Sequence, residues 1–271
     1  MPKPRHADLT DHKARKRFGQ NFLVDDNIID KIVAAIHPKD GDNLIEIGPG
    51  QGALTRPLLE HCPQLQVVEL DRDLAALLTD KFHSYADFKL HQGDALKTDF
   101  LQFKRGEAPL RIVGNLPYNI STPLIFHLLN YAGNVSDMHF MLQKEVVDRL
   151  AAAPGDKTYG RLTVMAQYHC QVEPLFIVPP GSFHPTPKVQ SAIVRLLPYK
   201  QPPYAATDPK LLHKLVSACF QQRRKTLRNS LKHFATAEQL ATLEIDLSLR
   251  PEVLTVKDFV ELSNQLAMHP L

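Results

Sequence analysis

The chain has 271 residues, 44% of them hydrophobic and 23% charged, and its formal net charge at pH 7 is +3. This length and composition indicate a packed globular protein with one large α/β domain, or an ordinary domain with a small appendage. Because Cys62, Cys170 and Cys219 lie far apart, they predict neither a disulfide framework nor a zinc site, and we expect no bound metal. The N-terminus lacks a signal-like apolar run, and no window approaches the roughly 20 apolar residues of a membrane span. We therefore expect a cytoplasmic protein that does not bind membranes.

A basic segment opens the chain, over residues 1–22 by charge and residues 1–24 up to the first predicted helix. Its cations outnumber its acids and include Arg15, Lys16 and Arg17. A helix is predicted next, because Asp25 is a good N-cap and apolar residues at positions 28, 29, 32, 33 and 36 share one helical face. A proline and a glycine soon after this pattern predict its end.

Strands and helices are then predicted in alternation. Short apolar runs typical of strands occupy residues 44–47, 66–70, 88–91, 111–113 and 138–142. Helical patterns lie between them at residues 74–82, 123–131 and 144–152. Two further strands, 175–178 and 192–197, are separated by a loop alone and suggest an antiparallel pair at one edge. The alternation predicts an α/β protein with a mostly parallel, doubly wound sheet of seven strands and helices on both faces.

The C-terminal part has a different pattern. A linker rich in proline and tyrosine spans residues 198–209, and only helical spacing follows it. We therefore predict a first domain over residues 1–202 and a small all-helical domain over residues 203–271.

A glycine-rich loop follows the first of these strands and opens a helix. It contains Gly48, Gly50, Gly52 and Ala53 after Glu46. Glycines here allow a tight turn and a close approach of the backbone to a ligand. The spacing fits both the dinucleotide fingerprint and the S-adenosylmethionine loop of Rossmann-like methyltransferases, so the loop alone leaves both open.

Acidic residues follow the next two strands. Glu69 and Asp71 lie at the end of one strand, about 20 residues past the first glycine, where a carboxylate is expected to accept both ribose hydroxyls. Alternation puts both side chains on one face, so the spacing does not choose between them. Asp94 ends the following strand and could accept from an adenine amino group or cap a helix. All these features lie at carboxyl ends of strands, where open α/β sheets bind ligands.

The tetrapeptide Asn115-Leu116-Pro117-Tyr118 follows the fourth strand and separates methyl transfer from hydride transfer. Adenine N6 is a poor nucleophile because its lone pair is delocalised into the ring. The Asn115 side-chain oxygen and the Leu116 carbonyl could accept hydrogen bonds from its two N–H groups. Pro117 stiffens the turn, and Tyr118 offers a face on which the base can stack. The tetrapeptide predicts methylation of an exocyclic amino group, accelerated by positioning and preorganised polar groups.

These residues belong to a broader set of motifs that covers almost the whole chain. The set consists of residues 16–23, 46–52, 69–71, 93–95, 115–123, 141–146, 159–162, 183–189 and 220–226. It resembles the ribosomal RNA adenine N6,N6-dimethyltransferases, and most closely the bacterial small-subunit (16S) branch. The resemblance implies a Rossmann-like class I methyltransferase fold and S-adenosylmethionine as cofactor, with S-adenosylhomocysteine as product. It implies dimethylation of N6 on two adjacent adenines in the last hairpin loop of 16S rRNA, with a role in biogenesis of the small ribosomal subunit.

The resemblance also implies a role for each site residue. Asn21 and Leu23 would hold the methionine end of the cofactor, Gly48 would line its central part, and Gly50 would also bind the cofactor. Glu69 would bind the ribose, which decides against Asp71, and Asp94 would meet the adenine. Asn115 would continue that wall and accept from the target N6, and Phe183 would stack on the base opposite Tyr118.

Two basic clusters predict an RNA footprint. One includes Arg15, Lys16 and Arg17, and the other is Arg223-Arg224-Lys225. A solvated helix face is the usual explanation of such a run. Beside an adenine-modifying site we interpret both clusters as phosphate contacts, which give affinity without sequence information. The expected partner is the small ribosomal subunit with its 16S rRNA, bound by a monomer.

Three other functions fit parts of the sequence. A 23S rRNA adenine dimethyltransferase would share the glycine loop and the tetrapeptide pattern with its chemistry. The N-terminal motif and residues 221–226 favour the small-subunit branch. The protein could also act mainly as a ribosome-assembly factor, with catalysis secondary. An NAD-dependent oxidoreductase fits only the glycine spacing, because the fourth strand offers no evident acid for hydride transfer.

Overall fold

The computed structural model describes residues 21–222 and 224–268. The predicted RNA contacts Arg15, Lys16, Arg17 and Arg223 lie outside the described residues. The chain divides into two compact units, Met1–Val147 with Val172–Pro198 and Asp148–Gln171 with Tyr199–Leu271. The segment 148–171 thus groups with the C-terminal helices, whereas the division predicted from the sequence, at residue 202, stays a prediction.

Nine strands are present in the described part of the chain. They are β1 (Phe22–Leu23), β2 (Asn43–Ile47), β3 (Gln66–Glu69), β4 (Lys89–Gln92), β5 (Leu110–Asn115), β6 (Val135–Gln143), β7 (Cys170–Val178), β8 (Phe183–His184) and β9 (Ser191–Pro198). Seven of them form one sheet in the order β4-β3-β2-β5-β6-β9-β7, and β1 pairs with β8 in a separate two-stranded sheet.

Ten α-helices connect and follow these strands within residues 21–222 and 224–268. They are α1 (Asp26–Ile36), α2 (Thr55–His61), α3 (Arg72–Lys81), α4 (Ser121–Leu129), α5 (Lys144–Leu150), α6 (Arg161–His169), α7 (Pro209–Cys219), α8 (Leu227–Ser230), α9 (Ala237–Ala241) and α10 (Val256–Ala267). No helix in these ranges is long and apolar enough to cross a membrane.

The seven-stranded sheet has the mostly parallel character that the alternating pattern predicts. β2 is parallel to both β3 and β5, and the parallel pairing continues to β4 on one side and β6 on the other. β9 then runs antiparallel to β6, and β7 lies at the edge beside β9. All five residues of β2 are buried. Because successive side chains point to opposite faces, both faces of the sheet centre are covered.

Helix α1 forms for the reasons that the sequence supplies. The Asp25 side chain accepts from the backbone N–H groups of residues 27 and 28, which satisfies donors of the first turn. Buried side chains at 29, 32, 33 and 36 lie on one face and join the core. The helix ends where His37 adopts a left-handed backbone (φ 50°) and donates its N–H to the Val33 carbonyl.

Helix α6 and strand β7 differ from the sequence prediction. Helix α6 is not predicted by the periodicity, because residues 162–166 and 168 are all buried and give no amphipathic period. β7 is longer than the predicted strand and contains Pro174. A proline has no N–H to donate, and an edge strand tolerates this loss.

Candidate active site

A cavity lies at the carboxyl ends of β2, β3, β4 and β5. Its lining includes the glycine loop after β2, the end of β3, the turn after β4, the tetrapeptide after β5 and the β1 segment. It brings together ten of the predicted site residues, namely Asn21, Leu23, Gly48, Gly50, Glu69, Asp94, Asn115, Leu116, Pro117 and Tyr118. This edge of the sheet is where open α/β folds bind their ligands.

The glycine loop has the backbone that its sequence predicts. Gly50 has φ 60°, and a Cβ atom there would lie 3.1 Å from the Phe22 ring. Gly52 has φ 83°, and a Cβ atom there would lie 2.8 Å from the Phe82 ring. L side chains rarely adopt such a φ, so both positions require glycine. The loop therefore passes closely between β1 and the end of α3, and its backbone borders the cavity.

The two carboxylates after β3 have different partners. Glu69 Oε2 accepts from Gly50 N at 3.3 Å, and its Oε1 accepts from Asp71 N at 2.8 Å. Burial raises the pKa of Glu69. Asp71 Oδ1 accepts from Asp73 N at 3.0 Å and caps α3. Asp71 thus has a structural task as a helix cap, whereas Glu69 is held against the glycine loop.

Asp94 lies in the turn after β4 and lines the same cavity. Its Oδ1 accepts from Leu96 N at 3.0 Å. This bond closes a turn and caps no helix, because the next helical segment starts only at Phe100, where Asp99 is the N-cap. The Asp94 side chain also borders the cavity.

The tetrapeptide is held by hydrogen bonds to neighbouring segments. Leu116 N donates to Met141 O at 3.2 Å, which extends the contact between β5 and β6. Asn115 Nδ2 donates to Asn21 O at 3.2 Å. This bond uses the amino group of the side chain, so the amide oxygen Oδ1 is the atom left to accept from another donor.

Tyr118 is half-buried at the cavity and is fixed at both ends. Ser121 Oγ donates to the Tyr118 carbonyl at 3.2 Å, and the Tyr118 hydroxyl lies 2.7 Å from Ser191 Oγ. Burial raises the pKa of Tyr118, so the phenol stays neutral at physiological pH. No motif in the sequence singles out Ser191.

Among the described residues, Phe183 is not part of the cavity lining, although its partner Leu23 is. All the residues that line the cavity in the described part of the chain lie between positions 21 and 120 of the sequence. Phe183 is 3% exposed, pairs with Leu23 in the two-stranded sheet and packs in the hydrophobic core. Its predicted stacking on a target base stays a prediction. Arg224 and Lys225, the described members of the second basic cluster, are both exposed.

Two polar residues at the cavity have no role predicted from the sequence. Glu46 is 1% exposed, accepts from Thr55 Oγ1 at 2.7 Å, and has its pKa raised by burial to about 8. Gln51 is 8% exposed, and its Oε1 has no hydrogen-bond partner among the described residues. Both lie in the glycine-loop motif, whose spacing indicates a backbone conformation and carries no signal for the polar side chains.

The doubly wound sheet and this site define a Rossmann-like class I methyltransferase. A sequence model of the family described as ribosomal RNA adenine dimethylase matches residues 11–268. The chain belongs to this family, whose members are methyltransferases that use S-adenosylmethionine.

Curated relatives and solved structures agree with this assignment. The protein is 62% identical to ribosomal RNA small subunit methyltransferase A of Saccharophagus degradans, over 94% of this chain and 95% of the relative. It is 58% identical to the protein of the same name from Pseudomonas aeruginosa, over 97% and 98%. A dimethyladenosine transferase from Plasmodium falciparum superposes with a TM-score of 0.72 at 28% identity, covering 89% of this chain and 95% of that one. The 23S rRNA methyltransferase ErmE gives 0.69 at 25% identity, covering 91% and 100%.

Proposed function

We propose that the protein transfers methyl groups from S-adenosylmethionine to N6 of adenine in the rRNA of the small ribosomal subunit. The observation that carries this proposal is the orientation of Asn115. Its amino group donates to the Asn21 carbonyl, which leaves its Oδ1 facing other donors, so Oδ1 can accept a hydrogen bond from the target N6–H. Relatives at 58–62% identity that are named small subunit methyltransferases support the choice of subunit.

The residues at the cavity fit the cofactor. The glycine loop provides a backbone without side chains at its closest approach, and Glu69 and Asp94 provide acceptors for hydroxyl and amino groups. Asn21 and Leu23, beside and in β1, also line the cavity and would hold the methionine end. When bound, the cofactor supplies an electrophilic methyl group on a sulfonium centre.

The tetrapeptide would orient the target base. Asn115 Oδ1 and the Leu116 carbonyl would each accept a hydrogen bond from one N6–H, which directs the nitrogen lone pair away from the ring. Tyr118 would stack on the base face, and Pro117 would keep the turn rigid. Phe183 could supply a second face only after its ring leaves the hydrophobic core, in which it is now buried.

The methylated adenines and the residues that bind the surrounding RNA are also part of the proposed function. We propose that two adjacent adenines in the 3′-terminal hairpin loop of 16S rRNA each receive two methyl groups, and that binding contributes to subunit biogenesis. Arg224 and Lys225 would contact phosphates, together with the basic N-terminal segment. Because phosphate contacts carry no sequence information, RNA shape and extrusion of the adenine would select the target.

The test is methylation of purified ribosomal subunits. Small subunits lacking the modification are incubated with the protein and S-adenosylmethionine, and the nucleosides are analysed by mass spectrometry. We expect N6,N6-dimethyladenosine from small subunits and none from large subunits treated in parallel. Product from large subunits alone would instead favour a 23S enzyme, and no product from either would overturn the proposal.

Two variants separate catalysis from binding. Asn115→Ala should abolish transfer while the variant still binds small subunits. Glu69→Ala should weaken binding of S-adenosylhomocysteine, measured by calorimetry, by at least tenfold, because a buried acceptor of two ribose hydroxyls is lost. If Asn115→Ala fully restored growth of a strain lacking the protein, the assembly role would be the main one.

A further inference from the structure

Strand β9 begins at the edge of the sheet where β6 ends. β9 runs antiparallel to β6, and Ser191 at its start lies opposite Gln143 at the end of β6. An antiparallel strand begins at the edge where its parallel neighbours end. Ser191 is therefore placed at the same edge as the tetrapeptide, although about 70 residues separate it from Tyr118.

The second observation is the bond between the two side chains. Tyr118 hydroxyl and Ser191 Oγ lie 2.7 Å apart, within the usual range for O–H···O bonds. Ser191 is fully buried, so water cannot replace the phenol as its partner. Either oxygen can donate in this pair, and both remain neutral in the folded protein.

The third observation is that the backbone around Tyr118 is fixed separately. Ile120 N donates to Pro117 O at 3.1 Å, and Ser121 Oγ donates to Tyr118 O. These two bonds define the turn but do not fix the direction of the aromatic ring. The ring direction depends on two side-chain torsions, and the hydroxyl bond to Ser191 constrains both.

We propose that Ser191 is a positioning residue for the methyl transfer, which holds the Tyr118 ring in the orientation that receives the target adenine. This inference rests on the proposed function. Ser191 acts through Tyr118 and does not itself touch the base or the cofactor. A ring that is free to turn would still allow RNA to bind, but it would spend less time in the geometry required for transfer.

The experiment compares Tyr118→Phe, Ser191→Ala and the double variant. Each removes one oxygen atom and leaves the aromatic ring or the strand backbone in place. We expect each single variant to lower kcat for small subunits by about tenfold, which corresponds to about 1.4 kcal/mol. Because both variants break the same bond, the double variant should lose no more than a single one. The affinity for S-adenosylhomocysteine should stay within about twofold of the wild type, since the hydroxyl pair is not expected to contact the cofactor.

A control variant tests whether loss of a serine hydrogen bond elsewhere in the sheet, at an exposed position, has the same effect. Ser136 Oγ is bonded to Leu110 O and Asp137 Oδ2 at the start of β6, at the opposite edge of the sheet. Ser136→Ala should leave kcat unchanged. Melting temperatures measured for all variants establish that each one is folded under the assay conditions.

Three results would overturn the inference. They are a wild-type kcat for Ser191→Ala, a double variant whose loss equals the product of the single losses, and an equal loss of kcat in Ser136→Ala. The proposed function is tested separately by the wild type, because a wild-type protein that does not methylate small subunits refutes that function without reference to Ser191.

Discussion

Glu46 has a buried carboxyl group, and burial disfavours its ionised form. It is 1% exposed, lies in β2 next to the glycine loop, and has the Thr55 hydroxyl as its hydrogen-bond donor. Burial is the largest cause of its raised pKa, and the nearby Glu69 raises it further. Glu46→Gln is the natural perturbation, because the amide has nearly the same shape, cannot ionise, and can still accept from Thr55.

The protonation of Glu46 is linked to folding, and this linkage gives the direction and size of the pH dependence of the free energy of unfolding. The pKa of Glu46 is raised from 4.5 to about 8, so the folded protein keeps a proton that the unfolded chain releases between these values. The stability that protonated Glu46 contributes is fully present below pH 4.5 and is lost as the pH rises through 8. At 1.36 kcal/mol per pH unit, the full loss is about 5 kcal/mol. Glu46→Gln removes this loss, so its advantage over the wild type should grow as the pH rises.

The assay is urea denaturation of both proteins without cofactor at several values between pH 5.5 and 8.5. We expect the free energy of unfolding of the variant, minus that of the wild type, to rise by several kcal/mol across this range. Glu60→Gln, which alters an exposed carboxylate on α2, controls for the loss of one charge and should show no such rise. A difference for Glu46→Gln that stays constant within 1 kcal/mol would refute the reasoning, because Glu46 would then ionise without penalty.

Two further predictions concern packing and RNA binding. Gly114→Ala should lower the free energy of unfolding by about 1–3 kcal/mol in urea denaturation, because the added Cβ would lie 2.5 Å from Ile47 O in the adjacent strand. Gly133→Ala, with nothing within 4 Å of its Cβ position, should change it by less than 1 kcal/mol; similar losses in both variants would contradict the packing argument. Replacing Arg224 and Lys225 by Gln should reduce the slope of log affinity for small subunits against log salt by about 1 per residue, and an unchanged slope would remove both from the phosphate footprint.

Much of the central sheet could be predicted from the sequence, because most of its strands coincide with apolar runs and several are separated by helices with clear periods. Each of the seven predicted strands overlaps an observed strand, and their order along the chain places the glycine loop and tetrapeptide at one edge. Glu69 and Asp71 could not be distinguished by spacing, since both point to the same face. Both residues line the cavity in the structure, where Asp71 caps α3 and Glu69 accepts from Gly50 N and Asp71 N. The choice of Glu69 for the ribose stays a prediction.

The contacts that complete the site could not be predicted in the same way. β1 and β8 have two residues each, which is too short for any period to be visible. Ser191 is an ordinary serine in the sequence, and only the antiparallel register of β9 brings it to Tyr118. The burial of Phe183 likewise depends on its pairing with Leu23, which involves segments far apart in the chain.

The pairing of β1 with β8 determines when the site can be completed during synthesis of the chain. Ser182 Oγ donates to the Asp25 carboxylate across 157 positions, beside the pairing of Leu23 with Phe183. A nascent chain that has not yet exposed residues 182–184 can form the glycine loop and the tetrapeptide, but it lacks the strand that holds the β1 segment over them. Contacts between such distant segments close large loops and form late in folding. Competence to bind the cofactor is therefore expected only after more than two thirds of the polypeptide has emerged from the ribosome that makes it.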